Sequence, residues 1–295
     1  MSEIGAIGFI GLGVMGEPMC RNLAAHAGRP VIAYDVRPEP LARLASAGVN
    51  AAPSLAVAVE AAELILLSLP GEPEVRAVCL NEGGVLAHVR AGQTVVDTST
   101  VPPALSRELA GKFAAKGVDF ADAPIARTRQ AAAEGTLSIM VGASDAVFAR
   151  IRPVLSLMGS EITHCGAVGA GQVVKLLNNM VLFETVNAVC EALVIGTRAG
   201  LDGRLLLETL ARGSADSFAL RSHGMKSALP DLYPTDAFPV RYALKDLSYA
   251  LALARETGVT ARGAELVRGL FEQAIAAGHG DEYHPVIKKV IEEAG

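Results

Sequence analysis

Tryptophan is absent from the 295 residues, and aromatic residues make up only 4 % of them. Cysteine occurs four times, as Cys20, Cys79, Cys165 and Cys190, with neither Cys-x-x-Cys nor zinc-ligand spacing. Reduced core thiols are therefore expected, not a metal or redox centre. The six histidines, His164, His279 and His284 among them, form no ligand pattern either, so no metal is expected. His164 stands just before a glycine-rich turn and reads as structural. No basic stripe with interleaved aromatics occurs and the net charge is −5, which argues against nucleic acid as a partner. No run of uncharged apolar residues reaches the length of a membrane span. The most apolar long stretch, Val173–Ile195, is broken by Lys175, Asn178, Asn179, Glu184, Asn187 and Glu191, so no membrane partner is expected. A basic n-region followed by an apolar core is missing from the N-terminus, and no signal peptide is expected. The expected location is cytoplasmic. Internal repeats and low-complexity tracts are absent as well.

What is present is an alanine-, leucine- and valine-rich composition, 51 % hydrophobic, of a globular enzyme type. The apolar run Ile4–Ile10 opens directly into Gly11-Leu12-Gly13-Val14-Met15-Gly16. A helical stretch, Glu17–Ala27, follows, and then a strand, Pro30–Tyr34, that ends in Asp35. Strand, glycine turn, helix, strand and acid are the order of a dinucleotide-binding unit. Gly11 permits the tight turn, Gly13 the approach of a pyrophosphate, and Gly16 close helix–strand packing. A purely structural glycine turn is the other reading. Asp35 can accept hydrogen bonds from ribose hydroxyls and repels a 2′-phosphate, which favours NAD. Arg37 keeps NADP possible.

Residues 1–165 alternate short β-like runs with helices. Further strands are expected at Leu64–Leu69, Thr94–Asp97, Asp119–Ala121 and Leu137–Val141, and helices at Pro38–Ala47 and Pro103–Lys116. This pattern predicts an α/β dinucleotide-binding domain with a doubly wound parallel sheet. The segments Ser68-Leu69-Pro70-Gly71 and Thr98-Ser99-Thr100 follow strands, where such sheets place ligands. Residues 166–295 read as an all-α domain for substrate binding and oligomerisation. It opens with a long interdomain helix, Gln172–Ala199, whose apolar Val181, Leu182, Val186, Val189, Leu193 and Val194 cover more than one stripe. Further helices are expected at about 203–212, 216–227, 239–257, 260–278 and 281–293.

On the long helix Lys175, Asn178, Asn179 and Leu182 fall at i, i+3, i+4 and i+7, on one face. Buried polar groups need partners, so this face either satisfies a helix contact or solvent, or serves a site. A desolvated lysine exchanges protons readily, which a hydride transfer at a carbinol requires.

The chain resembles the β-hydroxyacid dehydrogenases, the relatives of 3-hydroxyisobutyrate dehydrogenase and tartronate semialdehyde reductase. The resemblance runs nearly end to end through Gly8–Gly16, Leu69-Pro70, Asp97-Thr98-Ser99-Thr100-Val101, Asp122-Ala123-Pro124-Ile125 and Gly135-Thr136-Leu137. It continues through Gly169–Lys175 with Asn178-Asn179, and Lys245-Asp246-Leu247. It implies a Rossmann domain and hydride transfer between NAD and a small 3-hydroxy or ω-hydroxy acid, or its semialdehyde. Lys175 would be the acid/base. Asn178 and Asn179 would hold substrate, and Ser99 and Thr100 would lie between nicotinamide and substrate. The cofactor side would comprise Gly11, Leu12, Gly13, Val14, Met15, Gly16, Asp35, Leu69, Pro70, Thr100, Phe238 and Lys245. Phe238 reads equally well as a core residue, and Lys245, by itself, as a surface lysine.

Where the family commonly has Ser-Gly-Gly, this chain has Ala126-Arg127-Thr128. The loop resembles that of the sulfolactaldehyde reductase branch, though Ala126 and Leu182 depart from that branch. Arg127 and Thr128 are thus expected to meet a strongly acidic small substrate, since a guanidinium is a planar, permanent cation; a solvated loop charge is the alternative. Relatives with this layout are homodimers or homotetramers. The competing functions are an imine-reductase-like NADP enzyme and a non-catalytic cofactor-binding assembly module. The presence of Lys175 argues against both.

Overall fold

The computed structural model describes residues 5–294; Ile4, the first residue of the first expected strand, lies outside them. The strands are β1 (Ile7–Ile10), β2 (Val31–Tyr34), β3 (Val49–Ala51), β4 (Leu64–Leu67), β5 (Thr94–Asp97), β6 (Asp119–Asp122), β7 (Ile125–Ala126), β8 (Leu137–Gly142) and β9 (Gly159–Gly166). The helices are α1 (Gly16–His26), α2 (Pro38–Ala45), α3 (Leu55–Glu60), α4 (Glu72–Leu80), α5 (Val85–His88), α6 (Pro103–Ala114), α7 (Arg129–Ala133), α8 (Asp145–Leu155), α9 (Ala170–Arg198), α10 (Gly203–Leu210), α11 (Val240–Glu256), α12 (Arg262–Ala276) and α13 (Ile287–Glu293). A π-helix, Leu220–Ala228, occupies the place of the helix expected near 216–227, and a short 3₁₀ turn, His284–Val286, precedes α13. Contacts divide the chain into two compact units, one ending at Lys175 and the other beginning at Leu176.

The first unit is built on the sheet order β3-β2-β1-β4-β5-β6-β8-β7, with β9 beside β8. From β3 to β6 every pairing is parallel. Such strands are covered on both faces and read as continuous apolar runs. Successive residues still point to opposite sides. In β4, Leu64 and Leu66 join one apolar layer with Phe9 and Leu23, while Ile65 and Leu67 join the other with Val95 and Phe113. Strand order reverses between β1 and β4, so the turns after these two strands line the crevice where doubly wound sheets bind ligands.

The parallel, doubly wound sheet carries an antiparallel step at one edge. β8 runs antiparallel to β6 and β7, and β9 runs parallel to β8. A parallel crossover needs a dozen or more residues, usually with a helix spanning the sheet. The link at 127–136 holds only the five-residue α7 and can only return the chain antiparallel. β9 is largely polar, with Gly159 buried and the other residues half-buried or exposed, which hides it from an apolar-alternation reading.

The second unit is helical. α9 is 29 residues long, roughly 44 Å at 1.5 Å per residue. It stops where Gly200 takes a φ of 88°, the left-handed conformation that ends helices. By length and composition alone α9 is apolar enough to cross a membrane. In the fold its Phe183, Val186, Val189, Cys190, Leu193 and Val194 are buried, as are the polar Lys175, Asn179 and Asn187. Val181, expected in the apolar set, is 59 % exposed. Phe183, Phe271 and Phe238 surround His284 in the core of this unit, with the His223 ring alongside. His223 Nδ1 pairs with the Tyr283 hydroxyl at 2.5 Å.

The two units carry buried ionisable groups of opposite sense. Burial pushes the carboxyls of Asp97 and Asp122, in the first unit, up to about 6. It pushes His223 down to about 4, and His284 well below its ordinary value. Between pH 6 and 4 the folded first unit therefore binds more protons than its unfolded chain and gains stability as pH falls. Between pH 6.5 and 4 the unfolded helical unit binds more protons than the folded one, and its stability falls with pH. For His223 alone this is on the order of 2 kcal/mol at pH 5. Amide exchange, corrected for intrinsic rates, should show the helical unit opening more often at pH 5 than at pH 7 while the sheet gains protection. An equal response in both units would contradict this account.

Candidate active site

β1 delivers the chain into the glycine turn. Gly11 has a φ of 92°, and a Cβ there would lie 2.3 Å from the Ser68 carbonyl oxygen. A Cβ on Gly16 would lie 2.1 Å from the Gly11 carbonyl oxygen. These two glycines are required by the fold itself. Gly13 differs, because a Cβ there would meet nothing within 4 Å. The missing side chain at Gly13 instead leaves backbone open to an approaching group. The first turn of α1 follows with no side-chain cap at Met15, so its N–H groups suit a phosphate. Leu12, Gly13 and Val14 line a groove of about 540 Å³ together with Arg21, Arg37, Arg43, Arg129 and Glu17, whose carboxylate pairs with Arg43 at 2.7 Å. A cradle of backbone donors and cations fits the dianionic bridge of a dinucleotide.

Asp35, at the end of β2, is held against the turn. Its Oδ2 accepts from the Leu12 N–H at 2.6 Å and its Oδ1 from the Arg37 N–H at 2.8 Å. The Arg37 side chain pairs with the same carboxylate at 3.4 Å.

Beyond β4 and β5, Leu69 and Ser99 are joined, the Leu69 N–H donating to Ser99 Oγ at 2.9 Å. The Ser99 N–H donates to Asp97 Oδ1 at 2.9 Å, and the Thr98 hydroxyl to the Leu67 carbonyl at 2.7 Å. Thr100 is half-buried and Pro70 exposed. Asp97 and Asp122 are register partners on β5 and β6. Asp122 accepts the N–H of Gly169 at 2.6 Å and of Gln172 at 2.8 Å, at the start of α9. Gln172 is fully buried and Lys175, three residues further along α9, is 8 % exposed.

In the helical unit, Asn178 Nδ2 donates to Asn179 Oδ1 at 3.1 Å, and Asn179 Nδ2 to Asp246 Oδ2 at 2.7 Å. The Lys245 ammonium pairs with Asp246 Oδ1 at 3.2 Å and lies over the rings of Tyr242 and Tyr249. Phe238 is half-buried and packs on Phe183, with ring centroids 6.0 Å apart, against the core of this unit.

Arg127 is exposed, with a φ of 85°. Its Nη1 donates to the Thr136 carbonyl at 2.5 Å and to Ser160 Oγ at 3.1 Å. Thr128 caps α7 by accepting the Ala131 N–H at 3.3 Å. His164 bonds the Ala143 carbonyl at 2.8 Å and stacks on Phe148.

The structure thus gathers Leu69, Ser99 and the first turn of α9 in one unit, and Asn178, Asn179 and Lys245 in the other. Four residues absent from the sequence-based set, Asp97, Asp122, Gln172 and Asp246, do the joining. Each lies in a motif block that marked a neighbour, and an acid closing an apolar strand was the visible signal for Asp97 and Asp122.

Residues 6–166 match the NAD-binding domain family of 6-phosphogluconate dehydrogenase. Residues 169–291 match the family described as NAD-binding of NADP-dependent 3-hydroxyisobutyrate dehydrogenase. The chain is 37 % identical over 287 residues to 2-(hydroxymethyl)glutarate dehydrogenase of Eubacterium barkeri, covering 97 % of this chain and 95 % of that protein. The chain belongs to the β-hydroxyacid dehydrogenase family. It is an NAD-binding oxidoreductase of the kind that acts on CH–OH groups. It is also 36 % identical over 290 residues to 3-hydroxyisobutyrate dehydrogenase of Pseudomonas aeruginosa, covering 96 % of this chain and 97 % of that one. Among solved structures, Mycobacterium tuberculosis 3-hydroxyisobutyrate dehydrogenase with L-serine superposes with a TM-score of 0.88 at 31 % identity, covering 98 % of this chain and 99 % of that one. An imine reductase from Myxococcus stipitatus shares the fold at 20 % identity and a TM-score of 0.66, over 98 % of this chain and 99 % of that one.

Proposed function

We propose that this enzyme interconverts a small anionic 3-hydroxy or ω-hydroxy acid and its semialdehyde, with Lys175 as the acid/base. The observation that carries this reading is a nearly buried lysine one helical turn after Gln172, whose side chain is bonded to the turn that bears Ser99. NAD, held at the glycine turn and Asp35, would supply the hydride acceptor for the carbinol carbon. Lys175 takes the hydroxyl proton, and returns it in the reverse direction. Ser99 Oγ accepts the Leu69 N–H and its hydroxyl is bonded to Asp97, which fixes the side chain at the turn where the substrate would lie. Asn179 is oriented by Asp246 to present its amide to the substrate, beside Asn178. Asp35 makes NAD the favoured cofactor, with the glycine turn Gly11–Gly16, Leu69, Pro70, Thr100, Phe238 and Lys245 as further cofactor contacts. The dinucleotide-binding domain would comprise residues 1–165 and the helical domain residues 166–295. The two family matches, which part between residues 166 and 169, support that division. The free thiols among the described residues suit a reducing, cytoplasmic setting; recovery with the membrane fraction would count against it.

Turnover of a panel of hydroxy acids should proceed with NAD ahead of NADP. Lys175→Ala should lower kcat by about 10²–10⁴-fold, the usual worth of a positioned acid–base group, while NAD binding persists. A variant keeping more than about a tenth of the wild-type kcat would remove Lys175 from the role.

Arg127 is proposed to meet the substrate's acid group, with Thr128 at its side. Its positive φ costs a non-glycine residue on the order of 1 kcal/mol or more, in the place where the family commonly has glycine. Arg127→Gly should therefore leave the melting temperature unchanged or higher. It should raise the substrate KM about tenfold, the loss of one charge-assisted contact, with little effect on NAD. Arg127→Lys should rescue poorly, since an ammonium has no fork. An unchanged KM in Arg127→Gly would leave Arg127 a surface charge tied to Thr136 and Ser160.

Val174, Leu177, Val181 and Ile195 are exposed on α9 and fall along one stripe. We assign this stripe to a second copy of the chain, in a homodimer or a homotetramer. Light scattering is expected to show at least twice the chain mass, and a lone 30.5 kDa species at micromolar concentration would refute the assignment.

A further inference from the structure

The side chain of Gln172 spans two segments that the sequence keeps far apart. Its Nε2 donates to the Ser99 carbonyl at 2.8 Å, and its Oε1 accepts the Val101 N–H at 3.1 Å. The carboxamide therefore closes on both sides of Thr100 like a missing strand partner. It is fully buried, where an unmade bond to either backbone group would be costly. Its backbone N–H is meanwhile fixed by Asp122. Gly142 and Gly171 leave room for that carboxylate, since a Cβ on either would stand 2.3 Å or 2.8 Å from one of its oxygens. Lys175 follows one helical turn after Gln172.

We infer that Gln172 is a positioning residue: it sets the spacing between the Ser99–Val101 turn and Lys175, and so the alignment of the acid/base with the groups that hold the carbinol. This rests on the hydride-transfer reading above. No other amide fits, because asparagine is one methylene short and cannot reach both backbone groups from the same helix position. Glutamate is informative. Protonated, it accepts from Val101 and donates to Ser99 as glutamine does. Ionised, it loses the donor and buries a charge close to Asp122.

The test uses Gln172→Met and Gln172→Glu in the full-length enzyme. In the cofactor-free protein, exchange of the Val101 amide should rise at least tenfold in Gln172→Met. At saturating NAD and substrate, kcat should fall on the order of 10²-fold in Gln172→Met, the scale of a ~1 Å misplacement. KM should change less than threefold. For Gln172→Glu, kcat relative to wild type should rise as pH falls from 8 to 6, because protonation restores the donor; Gln172→Met should show no such recovery. A role confined to stability would move melting temperature without this pH-dependent rescue. The inference is overturned if Gln172→Met keeps wild-type kcat while its Val101 amide is deprotected, or if the Gln172→Glu ratio is flat with pH. Loss of activity in Lys175→Ala alongside an active Gln172→Met overturns this inference alone. A wild type that oxidises no hydroxy acid overturns both. Should Gln172→Met not fold, the Gln172→Glu ratio decides.

Discussion

The first turn of α9 hangs from one buried carboxylate. Asp122 takes the N–H groups of Gly169 and Gln172, two of the donors that a helix leaves unpaired at its start. The partial positive charge of that helix end adds to the attraction. Burial and the neighbouring Asp97 work in the opposite direction and weaken the carboxyl's acidity. The helix sits as close to the sheet as its backbone allows. A Cβ on Gly171 would lie 2.3 Å from the Met140 carbonyl oxygen, so α9 already sits on the sheet with no slack. Whatever α9 carries one turn later inherits that fixed height. In this chain that residue is Lys175.

Short-range pattern made much of this legible. The path β1, glycine turn, α1, β2 and Asp35 is written in consecutive residues. Lys175 and Asn179 share a helix face by spacing alone. What escaped the sequence depends on partners that lie far away. Asp246 orients Asn179 across 67 residues, and Gln172 reaches the Ser99 turn across 73. No periodicity encodes either pairing. The reversal at β8 escaped for a different reason. It is set by the shortness of the connection at 127–136, whereas the apolar content of β8 is the same for a parallel or an antiparallel strand. β9 escaped because its largely polar residues, half-buried or exposed after Gly159, show no apolar alternation.

Arg127 holds a backbone conformation that suits glycine better than arginine. The left-handed φ at this position costs glycine nothing and arginine something. The conformation persists because the segment is pinned on both sides. Upstream, β7 pairs with β8; downstream, Thr128 caps α7. The guanidinium then adds its own bonds to Thr136 and Ser160. A strained residue kept among such constraints is an argument for use rather than accident, since the local cost has to be offset elsewhere.

Four aspartates share one device. Asp35 fixes the Leu12 N–H, Asp97 the Ser99 N–H, Asp122 the start of α9, and Asp246 the amide of Asn179. An ionised carboxylate only accepts, so each of these bonds has one possible direction. For Asn179 the consequence is definite. Its NH₂ must face Asp246, which leaves its carbonyl to accept from Asn178, and the amide cannot flip without setting two acceptors against each other. Neutral partners, which donate and accept alike, would leave such orientations open. Three of the four acids, Asp35, Asp97 and Asp122, close or directly follow a strand, where the chain leaves the sheet and its next N–H groups lose their ladder partners. Asp35 and Asp97 supply such partners to Arg37 and Ser99, while Asp122 supplies them to the start of α9, all at the edge where such sheets bind ligands.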